Sequence, residues 1–212
     1  MVKKLTTLIL VLIGMAIGGF ISLVMFDRVF TQSLTNLKSY SVEDWGRMEY
    51  YVSKIVDRTI KYREMMDKDK MKYDPKPFDE AVGARSIILG GDTLKDKAAH
   101  IGKLEESVNT IIAQYNKKME LRRERFYYLE WGLVTKEFIH EYKIKRNHYR
   151  DTVSEYNFRI KTMPFVLLAK SKGFTELPQI EESKLTAVQL ATEEYSDDSS
   201  EESPDSMEHG SH

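Results

Sequence analysis

The sequence predicts an all-α protein: one N-terminal transmembrane helix followed by an antiparallel bundle of three long helices plus a short one. Three observations carry that expectation. Residues Leu5 to Phe26 hold no charged side chain. Beyond them, apolar residues recur at spacings of three and four, the period of a helix with one buried face. No segment alternates apolar and polar residues between hairpin turns, as strands do.

The apolar run comes first in the chain. At about 1.5 Å per residue, Leu5 to Phe26 extends roughly 33 Å, enough to cross a hydrocarbon core of about 30 Å. Small residues at Gly14-Met15-Ala16 admit the rival reading of a cleaved leader, but the uncharged, largely apolar sequence continues for ten residues past Ala16, longer than a leader needs. Lys3, Lys4 and the terminal amine precede the run, against Arg28 and Lys38 after it. This imbalance leans towards a cytoplasmic N-terminus and an extracytoplasmic domain. Gly14 and Gly18 stand in a GxxxG spacing through which two such helices can pack, a route to a homo-oligomer. Residues 1–29 are therefore the anchor, with the lipid bilayer as partner.

Residues 30–178 form the bundle. Ser41-Val42-Glu43-Asp44 has the form of a capping box that starts a helix. Trp45, Met48, Val52, Ile55 and Thr59 then make one stripe, to about Met66. A charged run, Asp67 to Lys72, and then Asp74-Pro75-Lys76-Pro77 end that helix. A short helix runs from Phe78 to about Leu89 and stops at Gly90-Gly91. Asp92 or Thr93 caps the next, whose stripe is Leu94, Ile101, Leu104, Val108, Ile111 and Tyr115, with a break between Asn116 and Leu121. The last long helix spans about Arg122 to Met163, stopped by Pro164. Its expected core face is Phe126, Leu129, Leu133, Tyr142, Tyr149, Val153, Tyr156, Ile160 and Met163. Asn157 lies beside that line, where it can bond a neighbouring loop. Pro164 and Gly173 bracket Phe165 to Ala169, an apolar run that folds back on the bundle or, on the rival reading, dips into a membrane surface beside Lys161, Lys170 and Lys172.

Residues 179–212 read as an acidic, Ser-rich disordered tail. From Glu193 onward there are eight acids and no Lys or Arg, so the 33 acids and 32 bases of the whole chain hide an excess of about seven positive charges before it. Such a segment buries too little surface to offset its ordering entropy. Ser196, Ser199 and Ser200 precede acids there and suit acid-directed phosphorylation. A formal net charge of −1 argues against nucleic acid as a partner.

Little in the sequence points to chemistry. There is no Cys, hence no thiolate metal site or thiol nucleophile. Glu137-x-x-His140 is half of a carboxylate-bridged di-iron signature, but the second pair that such a bundle site needs is missing. His140 and His148 are eight residues apart, about 12 Å along a helix and too far for one ion. Gly90-Gly91 is a helix stop rather than a phosphate loop. No catalytic, cofactor or metal residue is assigned. Arg122, Arg123 and Arg125 with Phe126, Tyr127, Tyr128 and Trp131 form the one basic and aromatic patch, suited to head groups or a partner but more simply a packed helix face.

One block is more specific. His148-Tyr149-Arg150-Asp151-Thr152-Val153-Ser154-Glu155-Tyr156-Asn157, then Arg159-Ile160, Pro164, Ala169-Lys170 and Gly173-Phe174, resembles the LemA family, which carries a near-identical run. The resemblance extends over about residues 30 to 180 and rests on Tyr149, Val153, Glu155, Tyr156, Asn157, Pro164, Gly173 and Phe174. Two family features are altered. The basic pair followed by an Asp-Leu-Ile-Pro-Asn-Leu-Val run is replaced by Met48 to Val56, and the Tyr-Pro turn by Tyr115-Asn116, which marks a divergent member. The resemblance implies a membrane-anchored helical bundle with no established enzyme activity. One branch is associated with building magnetosome membranes. The leading expectation is a non-enzymatic interaction or scaffold protein with an unidentified protein partner. Membrane remodelling and a metal-binding enzyme subunit are the alternatives.

Overall fold

A computed structural model describes residues 2–119, 126–163 and 165–186. Five helices follow one another: α1 (Val2–Lys68), α2 (Lys76–Gly90), α3 (Leu94–Met119), α4 (Phe126–Lys161) and α5 (Phe165–Ser171). Among the described residues there is no strand.

The first helix differs from the expectation. The apolar run and the first bundle helix are one continuous α1, roughly 100 Å long at about 1.5 Å per residue, and Ser41 does not cap it. The Ser41 hydroxyl instead donates back to the Lys38 carbonyl at 2.7 Å. The reason is visible between Asp27 and Tyr40, where no Pro or Gly breaks the chain. Phe30, Leu34 and Leu37 already carry the stripe that Ser41, Trp45 and Met48 continue. A hydroxyl caps only where the chain upstream leaves the helix.

After Lys68 the chain turns sharply. Lys70 takes φ of +52°, and the Met71 amide donates to the Met66 carbonyl at 2.9 Å, a helix stop usually built on glycine. Pro75 and Pro77 open α2, since proline suits a first turn that has no intrahelical donor to lose. Thr93 caps α3: its hydroxyl accepts the Asp96 amide at 3.1 Å and meets the Asp96 carboxylate at 2.7 Å.

The helices alternate in direction. Arg85 of α2 reaches Asp57 and Ser53 of α1 at 2.8 and 2.7 Å, while Arg63 of α1 reaches Asp79, so α2 runs opposite to α1. Trp45 meets Tyr149, and Tyr62 meets Trp131, so α4 descends along α1. The upper core is aromatic. Tyr62 packs against Phe78, Tyr115, Tyr128 and Trp131 with ring centroids 4.8 to 6.3 Å apart, within the range of favourable aromatic pairs.

The face that α4 buries is shifted from the expected one. Leu133 is 49% exposed and Met163 66% exposed, so neither belongs to the core. Tyr128, Trp131, Thr135 and Ile139 are buried in their place. Within the basic and aromatic patch, Tyr128 and Trp131 form a packed helix face, the simpler of its two readings. Trp131 donates to the Arg58 carbonyl at 2.6 Å, and the Tyr128 hydroxyl to Asp69 at 2.8 Å. With their polar ends satisfied, these rings bury more apolar area than Leu133. Arg122, Arg123 and Arg125 lie outside the described residues.

The Tyr62 hydroxyl is buried without a hydrogen-bond partner in the protein. Burial of an unpaired hydroxyl costs about 1–3 kcal/mol. Tyr62→Phe is therefore expected to stabilise the bundle by about 1 kcal/mol, read as a rise in the thermal midpoint. A fall would mean that the hydroxyl is bonded.

Candidate functional site

The residues of the 148–174 block converge on one structure, a strap formed by residues 174–186. The strap starts where α5 ends. Gly173 takes φ of +73°, and the Phe174 amide donates to the Ala169 carbonyl at 3.0 Å. That left-handed cap reverses the chain. Residues 174–186 then climb the bundle without regular secondary structure, so their backbone groups need side-chain partners.

α4 supplies them. The Tyr156 hydroxyl donates to the Thr175 carbonyl at 3.0 Å, and the Tyr149 hydroxyl to the Pro178 carbonyl at 2.9 Å. Asn157 holds both sides of one peptide: its amide nitrogen donates to the Leu177 carbonyl at 2.8 Å, and its oxygen accepts the Leu177 amide at 2.9 Å. Val153 is buried in the main core. Glu155 faces solvent and pairs with Arg159, four residues on. Phe174 is half-buried against the lower core. Pro164 lies outside the described residues. Gly14 and Gly18 sit on the exposed part of α1, where an added Cβ would touch nothing.

Higher up, the strap is gripped by a polar cluster that the sequence analysis did not single out. The Glu105 and Arg146 side chains are 3% and 4% exposed and meet at 2.6 Å. Glu105 also accepts from the Tyr142 hydroxyl at 3.0 Å, the Ser183 hydroxyl at 2.9 Å and the Lys184 amide at 3.1 Å. Asn109 repeats the two-sided grip, donating to the Lys184 carbonyl and accepting the Thr186 amide, both at 2.8 Å. Ile180 and Leu185 of the strap are buried in the main core. The boundary placed at residue 178 is thereby corrected: residues 179–186 are part of the packed fold. Ser196, Ser199 and Ser200 lie outside the described residues. A signal for the cluster exists, because Arg146 interrupts an otherwise apolar and aromatic stripe from Ile139 through Tyr142 to Tyr149.

Burial pushes the Tyr142 phenol well above its ordinary range, reinforced by the Glu105 charge and opposed by Arg146. Burial alone pushes Tyr149 up to about 12. Both remain neutral donors at physiological pH. A groove of about 730 Å³ lies beside the cluster, bordered by Ala98, Ile101, Glu105, Arg146 and Gln179. The Glu105 carboxylate at its centre is occupied by four internal donors, so what it holds is the strap. Among the described residues no three His, Asp or Glu side chains are placed to share a metal ion. Glu137 and His140 are both exposed.

A profile of the LemA family matches residues 54–191. The chain belongs to the LemA family. The matched stretch takes in the strap and all the residues that hold it, whereas the apolar run precedes it. A comparison with curated proteins finds no match. What the LemA motif does physically in this chain is now concrete. Tyr149, Tyr156 and Asn157 are strap-binding side chains, and Gly173 makes the reversal that lets the strap return.

Asn157→Ala removes both bonds to Leu177 and leaves its peptide half-buried. The variant is expected to lose about 2 kcal/mol and to be cut first by protease within residues 174–186, as mapped by mass spectrometry. Unchanged cleavage sites would show that the strap does not depend on Asn157.

Proposed function

We propose that this LemA-family chain is a membrane-anchored, non-enzymatic interaction protein that displays its bundle on a rigid helix. The observation that carries the reading is the state of α1 below the bundle. Among the described residues every side chain from Leu10 to Phe26 is exposed, Phe20 at 69%, and the window is strongly apolar. A core helix of a soluble protein would bury one face of such a run. Here both the bundle and the strap leave it bare, which suits a helix whose solvent is lipid. Cleavage after Ala16 would still leave Ile17 to Phe26 projecting from a folded domain, a large exposed apolar sleeve.

The interaction role rests on the polar groups within the bundle. The Glu105 carboxylate is engaged by Arg146, Tyr142, Ser183 and the Lys184 amide, which gives the Glu105–Arg146 cluster a structural role. The outer helix faces are free to meet a protein partner. Packing through Gly14 and Gly18 would pair two anchors. The imbalance of basic residues around the run favours an extracytoplasmic bundle.

The test is alkaline carbonate extraction of membranes carrying the full chain, combined with protease protection read at the acidic tail. Retention in the membrane with Met1 to Ala16 intact supports the anchor. Release into the soluble fraction would rule it out. Cleavage of the tail without permeabilisation places the bundle outside the cytoplasm; protection until the membrane is opened reverses that orientation.

A further inference from the structure

We propose that α5 and the turn before it form a foot that seats the bundle on anionic lipid, at the base of the anchoring helix. The proposal rests on the anchor reading above and adds a second, peripheral contact with the bilayer.

The position of α5 follows from register. α4 descends antiparallel along α1, with Tyr149 beside Trp45 and Arg159 beside Ser33 at 2.5 Å. The chain therefore reaches the level of Phe30 as α4 ends, and α5 is clamped there. The Phe165 ring stacks on Phe26 and Phe30 with centroids 5.6 and 4.6 Å away. Lys172 pairs with Asp27 at 3.0 Å. Phe26 is the last residue of the uncharged run. If that run spans the hydrocarbon core, α5 lies within about one helical turn, roughly 6 Å, of its boundary. That is the depth at which interfacial helices bury their apolar faces.

The surface of the foot suits that place. Met163 and Leu167 are 66% and 64% exposed, although Phe165 and Ala169 of the same segment pack inward. The same segments carry Arg28, Lys161, Lys170 and Lys172, and among the described residues Asp27 and Glu176 are taken by Lys172 and Lys161. No carboxylate among the described residues pairs with Arg28 or Lys170. An apolar patch ringed by excess cations at the end of a membrane helix is complementary to acidic head groups over acyl chains. A protein partner there would need its own anionic patch held at head-group depth; lipid is already present at that level.

The absence of cysteine makes the full chain a ready background for single labels. A nitroxide is attached at Leu167→Cys, at Ser154→Cys higher on the exposed side of α4, and at Phe20→Cys in the apolar run. Each chain is reconstituted in phosphatidylcholine vesicles with and without phosphatidylglycerol. The Leu167 label is expected to be accessible to oxygen and shielded from a water-soluble nickel chelate, as the Phe20 label is, while the Ser154 label shows the reverse. Phosphatidylglycerol should deepen the Leu167 label, and Lys170→Glu should abolish that deepening. A Leu167 label as open to nickel as the Ser154 label, with Phe20 immersed, overturns the foot and leaves the anchor standing. Shielding of Leu167 from both oxygen and nickel means that protein covers the patch, which also overturns it. A Phe20 label open to nickel overturns foot and anchor together.

Discussion

Replacing Glu105 by Ala is expected to destabilise the bundle by about 3–5 kcal/mol, because it leaves Arg146 as an uncompensated charge in a buried site. The change also strips Tyr142, Ser183 and the Lys184 amide of their acceptor, so the upper strap should detach. The double variant Glu105→Leu with Arg146→Met separates these effects. Removing both charges of a buried pair is often neutral or stabilising, so the thermal midpoint should return most of the way. Strap docking should not return, since Lys184 and Ser183 still lack a partner; protease sensitivity at residues 179–186 would persist. A loss below about 1 kcal/mol for Glu105→Ala would show that water reaches the pair and that the cluster does not hold the strap.

Alkaline unfolding should be sharp. Tyr62, Tyr115, Tyr142, Tyr149 and Tyr156 are fully buried, and burial raises the pKa of all five above the ordinary phenol value, Tyr115 and Tyr149 to about 12. A raised folded pKa means that the neutral phenol is favoured by folding. That stability is fully present below about pH 10, the value for an unfolded phenol, and is lost as pH rises towards the folded pKa. Each group removes at most about 1.4 kcal/mol per pH unit in that window, and five together at most about 7. A domain stable by about 5–15 kcal/mol should therefore unfold between about pH 11 and 12. Tyrosinate absorbance from these residues and loss of helical dichroism should rise in one transition. Tyr62→Phe should move its midpoint upward. Ionisation of the five well before any loss of helix would contradict the burial argument.

Much of the fold can be read from residue spacing. The stripe from Trp45 to Thr59, the cap at Asp92 or Thr93 and the stripe from Ile101 to Tyr115 each follow from local rules, and the structure has them, with Thr93 as the cap. Two errors were avoidable. The capping box at Ser41 is a signature of a helix start only if the preceding chain departs from helix, and Phe30, Leu34 and Leu37 already show that it does not. On α4 the expected face runs through Leu133, whereas the buried residues flank it at Trp131 and Thr135. The partners of the Trp131 and Tyr128 polar atoms, the Arg58 carbonyl and Asp69, lie on or just after α1 and have no trace in the local sequence.

The strap is different in kind. An extended segment has no period, so residues 174–186 show only scattered apolar positions. Its hydrogen-bond partners lie 20 residues away at Asn157 and 79 away at Glu105. By itself the sequence determined the apolar run, the short second helix, the stripe of α3 and the LemA block, because those depend on residues within a few positions of one another. Tertiary structure alone decided that the block serves to bind the chain's own return strand, that Glu105 and Arg146 share a buried site, and that α5 sits against α1 where the apolar run ends. These depend on which distant side chains find each other's unpaired polar groups and exposed rings once the helices pack.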